Sequence, residues 1–256
     1  MLFSVVTVTF NNLEGLRQTA ASLPADCRLY EWIVIDGASR DGTAAWLSSQ
    51  NRQDLLWVSE PDSGIFDAMN KGIMRARGDY VIFMNAGDAF ASDDVLPALA
   101  AFLGTARPDL LYGDSIERDM TGGTWLKPAR SPAWNRYAMF THHQAILYRR
   151  DRLAAGYDPA YRFAGDWSLT SRILACPGRQ VLHFPGVICH FLRGGVSQRN
   201  DHRRRINAEH WRILRQEYRL ALPLALLLYH GKLLANRFRH ALPRLYDRIR
   251  FSDMPD

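Results

Sequence analysis

Residues 30–43 read Tyr-Glu-Trp-Ile-Val-Ile-Asp-Gly-Ala-Ser-Arg-Asp-Gly-Thr. An apolar, β-branched run ends on Asp36 and breaks at Gly37 into a polar turn over residues 38–42. Apolar residues at nearly every position, rather than at every second one, predict a strand over 30–36 that is buried on both faces. Residues 43–50 then read as helix. Upstream, residues 2–10 (Leu-Phe-Ser-Val-Val-Thr-Val-Thr-Phe) repeat the pattern, and Asn11 and Asn12 offer a cap for a helix that Pro24 stops. Downstream come a short strand at 55–59, a helix at 65–75 broken by Gly78, and an apolar strand at 80–85. Strands and helices alternating through short links argue for an α/β fold, with a Rossmann-like, mostly parallel, doubly wound sheet and flanking helices. Ligands of such sheets sit beyond the carboxyl ends of the strands. Asn11, Asp36, Asp62 and Asp88 all fall there.

The second half is less regular. Residues 110–114, 123–127 and 144–149 read as strands, 166–174 as a short helix stopped by Pro177 and Gly178, and 180–190 as a final strand. From Asp201 onward the chain becomes helical and basic. Residues 193–250 hold fourteen Arg and Lys against four acidic residues, whereas residues 1–192 are nearly neutral. The expected organisation is therefore a domain over 1–200 and a basic helical segment over 201–256. The most apolar part of that segment, residues 220–229 interrupted by Pro223, is about half the length that spans a bilayer. Three readings stay open: a solvated helix packing on the domain, an interfacial helix drawn to anionic lipid, or a nucleic-acid arm. The last lacks any binding module, so no nucleic-acid partner is expected.

The whole chain has 256 residues, 47% of them hydrophobic, enough to bury a core and to set aside disorder. Cys27, Cys176 and Cys189 form no CxxC pair and suggest neither a disulfide framework nor a zinc site, so a reducing compartment is expected. The apolar N-terminus has no basic leader or small-residue cleavage site and reads as a first strand rather than a signal peptide.

Polar groups that end apolar strands carry the chemistry. Asp36 can accept hydrogen bonds from a nucleotide's base or ribose, or can serve a local cap, for which Asp41 is the better candidate. In residues 60–72, Asp67, Asn70 and Lys71 share one helix face by their i, i+3, i+4 spacing. Lys71 can hold a phosphate or pair with Asp67. The turn Asn85-Ala-Gly-Asp88 follows a buried strand, and a carboxylate there suits an oxygen-ligated Mg²⁺ or Mn²⁺ that also holds a diphosphate, or simply forms the turn.

The order of these motifs resembles the family 2 glycosyltransferases, which have the GT-A fold, and within them the exopolysaccharide enzymes of the colanic-acid type. The match runs through residues 4–11, 35–43, 60–72, 78–88, 141–148 and 164–172. The resemblance implies that Thr9 and Asn11 flank the nucleotide and Asp36 binds its base. Asp62, Asp67, Asn70, Lys71 and Asn85 complete the donor pocket. Such enzymes usually carry Asp-x-Asp at the metal turn, where this chain retains Asp88 as the one certain carboxylate. A late histidine sometimes reaches the metal or the diphosphate, a part that His190 can fill. The family's catalytic base lies at the start of a later helix and falls here on Asp166, within Phe163-Ala-Gly-Asp-Trp167. The chemistry calls for such a group, because a sugar hydroxyl is a poor nucleophile until a carboxylate takes its proton. The alternative for Asp166 is a plain cap of the helix that follows. His143, Gln144 and Trp167 are assigned to the acceptor side, although Trp167 can equally be core. His142 and His143, adjacent on an extended segment, are expected to point to opposite faces.

The resulting expectation is an inverting, metal-dependent hexosyltransferase. It would use a nucleotide-diphosphate sugar and a lipid-linked or glycan acceptor in cell-surface polysaccharide synthesis. Its place would be cytoplasmic, peripheral at the inner membrane face. Two rivals are a sugar-phosphate nucleotidyltransferase, which would carry a Gly-rich phosphate loop after the first strand, and a non-catalytic nucleotide-sugar-binding protein.

Overall fold

The computed structural model describes residues 1–24, 28–119, 121–193 and 202–242. Cys27, the stretch after Arg193, the expected boundary at 200–201 and the basic residues beyond 242 lie outside the described residues.

Strands β1 (Phe3–Thr9), β2 (Tyr30–Asp36), β3 (Leu55–Ser59) and β4 (Tyr80–Phe83) form a parallel block in the order β3-β2-β1-β4. The register sets Thr9 beside Asp36 and Asp36 beside Ser59, so the carboxyl ends of three strands finish level. Every residue of β1, β2 and β4 is buried, Ser4, Thr7 and Glu31 included, which explains why apolar residues fill most positions rather than alternate ones.

Beyond β4 the sheet becomes mixed. β8 (Ile146–Arg149) pairs antiparallel with both β4 and β6 (Leu110–Arg118), and β9 (Val181–Leu192) runs parallel to β6. β5 (Ala89–Phe90) closes the far edge against β9, and β7 (Thr124–Lys127) forms a side hairpin with β6. The expected mostly parallel sheet thus holds for its first four strands and continues with mixed directions.

Alternate residues of the strands feed two cores. On one face Val5, Trp32, Val34 and Ile82 pack under α1 (Leu13–Ala21), α2 (Thr43–Ser48) and α4 (Val95–Leu103), through Leu16, Leu47 and Leu99. On the other, Val6, Ile33, Ile35 and Phe83 pack under α3 (Ile65–Arg75) and α5 (Gly165–Ala175), through Phe66, Met69, Leu169 and Ile173. A Cβ at Gly72 of α3 would lie 2.4 Å from a methyl of Val6, so only glycine lets that helix close on β1.

The basic C-terminal segment forms α6 (Arg203–Arg212), a π-helical turn (Ile213–Glu217) and α7 (Leu222–Ala241). Ile213 joins Tyr161, Ala164 and Trp167 in a third apolar cluster, so this segment packs on the start of α5. Pro223 sits in the first turn of α7, where its missing N–H costs nothing, rather than interrupting the helix as its place in the apolar run suggested. Among the described residues no helix is long and apolar enough to cross a membrane.

Candidate functional site

A cleft of about 1040 Å³ opens at the carboxyl ends of β1 and β4. Of the residues singled out in the sequence, Thr9, Asn85, Asp88, His143, Gln144 and Asp166 line it. Asn11, Asp36, Asp62, Asp67, Asn70, Lys71, Trp167 and His190 do not line it.

Asp36 is fully buried and its carboxylate is occupied: the hydroxyls of Ser39 and Ser59 donate to it, the latter at 2.6 Å, and Ser39 N–H adds longer contacts. Asn11, in the left-handed region at φ 47°, accepts from Arg40 N–H at 2.8 Å and donates its own N–H to Ser39 Oγ. The two asparagines divide their work, since Asn12 caps α1 through Gly15 N–H. Asp41, by contrast, accepts from Leu13 N–H and the Thr43 hydroxyl, tying the loop after β2 to α1. Asp62 lies directly over Gly37, where a Cβ would come within 2.5 Å of its carboxylate, and it accepts from Gly64 N–H.

The shared helix face at the start of α3 is real, but its groups face inward onto the loops. Lys71 Nζ donates to Pro61 O at 2.7 Å and pairs with Glu60 at 3.1 Å and Asp67 at 3.8 Å. Asp67 also accepts from Ser63 N–H. Asn70 clamps the main chain of Tyr157 from both sides, accepting its N–H at 2.7 Å and donating to its carbonyl at 2.9 Å. None of the three lines the cleft.

Asp88 is 5% exposed and stands on a turn where Gly87 takes φ 106°. Gln144 Nε2 donates to one of its oxygens at 2.7 Å, and Leu192 N–H to the other at 3.0 Å. Burial pushes its carboxyl up to about 6, against the lowering effect of those two donors. Around it, Asn85 Oδ1, Gln144 Oε1 and His143 Nε2 are buried with no hydrogen-bond partner among the described residues. Unpaired polar atoms converging on one cleft are costly and mark a place where a ligand, ion or water is expected.

His142 and His143 diverge as expected. His142 meets Ser115 and Glu117 and stacks on Phe191, while His143 Nδ1 lies 3.5 Å from Asp166 Oδ2. Asp166 is the second residue of α5, whose cap position is Ala164, so it is not the plain cap considered from the sequence. One oxygen accepts from Trp167 N–H and the carboxylate keeps 26% exposure toward the cleft. Trp167 is a correction: it is 4% exposed, donates to Asn135 O at 2.6 Å, stacks on His210 and lies under Lys232 Nζ, so its ring belongs to the core. His190 pairs with Ala89 on the sheet edge and does not line the cleft; Leu192, two residues later, is the one that reaches Asp88.

A family model described as "Glycosyl transferase family 2" matches residues 4–172. The chain belongs to that family. An uncharacterized glycosyltransferase of Mycobacterium tuberculosis is 33% identical over 210 residues, 77% of this chain and 78% of its own. A PGL/p-HBAD biosynthesis glycosyltransferase of Mycobacterium bovis is 31% identical over 215 residues, 77% and 79% of the two chains. Among solved structures, S. aureus TarS 1-349 in complex with UDP-GlcNAc superposes with TM-score 0.70 at 18% identity, over 94% of this chain and 73% of that one. A Pyrobaculum calidifontis mannosyltransferase in complex with GDP-Man and Mn²⁺ gives 0.62 at 20%, over 94% and 72%. At such identities these two likenesses establish the GT-A fold.

The fold implies a divalent cation, and the donor set at the Asp88 turn bears on whether one fits. Among the described residues no three His, Cys, Asp or Glu side chains converge as a metal cluster. Asp88 with the unpaired amide oxygens of Asn85 and Gln144 nonetheless offers hard oxygen donors, which suit an ion that keeps waters and phosphate ligands. This glycosyltransferase also brings to its cleft Arg162, Phe163, Phe191, Arg193, His202 and Arg205, none of them expected from the sequence. The run Arg203-Arg-Arg205 carried the signal, but as part of a basic segment it read as surface charge.

Proposed function

We propose that this family 2 glycosyltransferase transfers a sugar from a nucleotide-diphosphate sugar to a lipid-linked or glycan acceptor, with inversion, in cell-surface polysaccharide synthesis. The observation that carries the reading is the shared cleft: a partly exposed Asp166 faces the same space as the Asp88 turn and the strand end at Thr9. In the reaction, Asp166 takes the proton of an acceptor hydroxyl while that hydroxyl's oxygen attacks the anomeric carbon. The bond from that carbon to the diphosphate breaks on the opposite face, and the nucleoside diphosphate leaves with the electron pair. His143 beside Asp166 fixes the orientation of the carboxylate. Mn²⁺ or Mg²⁺ at Asp88, with Asn85 and Gln144, would neutralise the charge of the diphosphate. Arg162 and Arg205 place further positive charge on the cleft wall.

Thr9, Asn11, Asp36 and Asp62 form the nucleotide end in this reading. Asp67, Asn70 and Lys71 hold its loops, and Gln144 serves the Asp88 side. The printed titles of the structural neighbours, with UDP-GlcNAc and with GDP-Man and Mn²⁺, support a donor of this class. The C-terminal segment would meet an anionic membrane surface on the cytoplasmic side, because Leu226, Leu227 and Leu234 stand exposed on α7 in a strongly basic part of the chain.

The test is release of nucleoside diphosphate from UDP-glucose, UDP-N-acetylglucosamine and GDP-mannose, with Mn²⁺, with Mg²⁺ and in chelator. Cation-dependent turnover of at least one sugar is expected. Neither turnover nor a thermal shift with any UDP or GDP probe would sink the reading.

A further inference from the structure

Helix α5 starts without a side-chain cap, since its cap position is Ala164. The first N–H groups of a helix, and those of the loop leading into it, need acceptors. One residue supplies three. Glu209 of α6 is 8% exposed, and its carboxylate accepts from Arg162 N–H at 2.8 Å, Phe163 N–H at 3.0 Å and Ala164 N–H at 2.7 Å. Asp166 follows two residues later. The same C-terminal segment grips the other side of Asp166 as well. Glu217 accepts from Tyr161 Oη at 3.0 Å and from Ser168 Oγ at 2.7 Å, and Lys232 Nζ of α7 lies 3.8 Å from the centre of the Trp167 ring.

We propose that Glu209 is a positioning residue for transfer: its carboxylate fixes the 162–164 main chain, and thereby where Asp166 faces the cleft. The segment from α6 onward is then part of the active-site scaffold rather than an appended tail. Hydrogen bonds from peptide N–H to a carboxylate are short and charge-assisted, so a loop held by three of them has little freedom. A neutral amide cannot replace this. The Oε1 of glutamine accepts, but its Nε2 would face an N–H donor and leave it unpaired. The proposal rests on the reading of Asp166 as the base, and the test separates the two.

Full-length Glu209→Gln, Asp166→Asn and the double variant are compared with the parent protein in three measurements. These are turnover of UDP-glucose, UDP-N-acetylglucosamine and GDP-mannose, affinity for UDP and GDP with Mn²⁺, and amide hydrogen exchange. Glu209→Gln should speed exchange at residues 162–164 by tenfold or more while β1 stays protected. It should lower turnover about 10- to 100-fold with nucleotide affinity changed less than twofold. In the Asp166→Asn background the second substitution should cost nothing further, because both act through one group. If Asp166→Asn is inactive while Glu209→Gln turns over normally, the positioning role is overturned. Normal turnover by Asp166→Asn instead overturns the base, and the exchange measurement then still shows whether Glu209 holds the loop. Should Glu209→Gln not fold, Glu209→Asp keeps the charge one methylene short and should show the same split at smaller size. Full activity and protection in that variant would count against the proposal.

Discussion

The turn at Asp88 and the loop at Asp166 face one cleft but are built in different ways. The Asp88 turn hangs directly from the parallel block: β4 ends, Gly87 takes a left-handed conformation, and the carboxylate is drawn inward onto Gln144 and Leu192. The Asp166 loop has no strand behind it, and its main chain is held by Glu209, whose helix comes after the whole sheet is complete. One carboxylate is buried and has its charge resisted by its surroundings, while the other stays partly open to the cleft. A buried carboxylate with unpaired amide oxygens beside it suits charge held for a ligand. An open one beside a histidine suits proton transfer. The contrast teaches that two acidic groups of one site take their roles from how they are held.

The contrast is broken most sharply at Asp166. Asp166→Asn keeps shape and hydrogen bonding to Trp167 N–H but cannot take a proton, so turnover should fall roughly 10²- to 10⁴-fold. Affinity for UDP or GDP should stay constant. Were Asp166 only a favourable charge in the first helical turn, the loss would be at most about 1 kcal/mol of stability with turnover kept. Steady-state rates and a melting curve on the one variant decide between these.

At the other carboxylate, Asp88→Asn should weaken Mn²⁺-dependent binding of UDP or GDP by at least roughly tenfold, read by titration with and without the cation. The melting temperature of the cation-free protein should hold or rise. A buried charge is removed, and Gln144 can turn its amide so that its unpaired Oε1 meets the N–H donor that the substitution introduces. A clear drop in melting temperature would show that the charge itself builds the turn, and the contrast would lose its donor-side half.

The smallest effect concerns the support beneath Asp166. His210 is 1% exposed, stacked on Trp167 with the tilted Tyr229 ring beside it and Lys232 near, and burial pushes its imidazole down to about 2. The fold keeps it neutral, whereas the unfolded chain binds a proton below about pH 6.5. Stability should therefore fall on acidification, by on the order of 1 kcal/mol between pH 6.5 and 5.5. His210→Phe should flatten that slope, because phenylalanine keeps the stack and binds no proton. Denaturant titrations at several pH values check this. Equal slopes in the two proteins would remove His210 as the cause.

The same difference explains what the sequence made legible. The 30–36, 55–59 and 65–75 elements are found where the apolar runs and their breaks put them, and for 30–36 the reason is that a strand buried on both faces writes its burial into consecutive residues. Asp36, Asp62 and Asp88 at strand ends follow from the same rule. Elements whose setting is decided elsewhere in the chain were not legible. Lys71 looks free on a helix face, yet Glu60 and Pro61 O claim it. Trp167, beside an exposed carboxylate, is turned away by a histidine forty-odd residues later. β5 is two residues long and carries no pattern at all, and α4 is too uniformly apolar to show a periodicity. Glu209 sits within a basic stretch that reads as surface, and only the folded chain shows it facing three peptide N–H groups.

The clamp at Glu209 also sets an order of events during synthesis. Translation delivers the turn around Asp36 well before residue 209, and its partners Ser39 and Ser59 lie close to it in sequence, whereas the Asp88 carboxylate takes its partners from Gln144 and Leu192. A growing chain can therefore complete the surroundings of Asp36 early, while the main chain before Asp166 still waits for its acceptor. Because the last latch sits in a late helix, the main chain before Asp166 is set only after the sheet is complete.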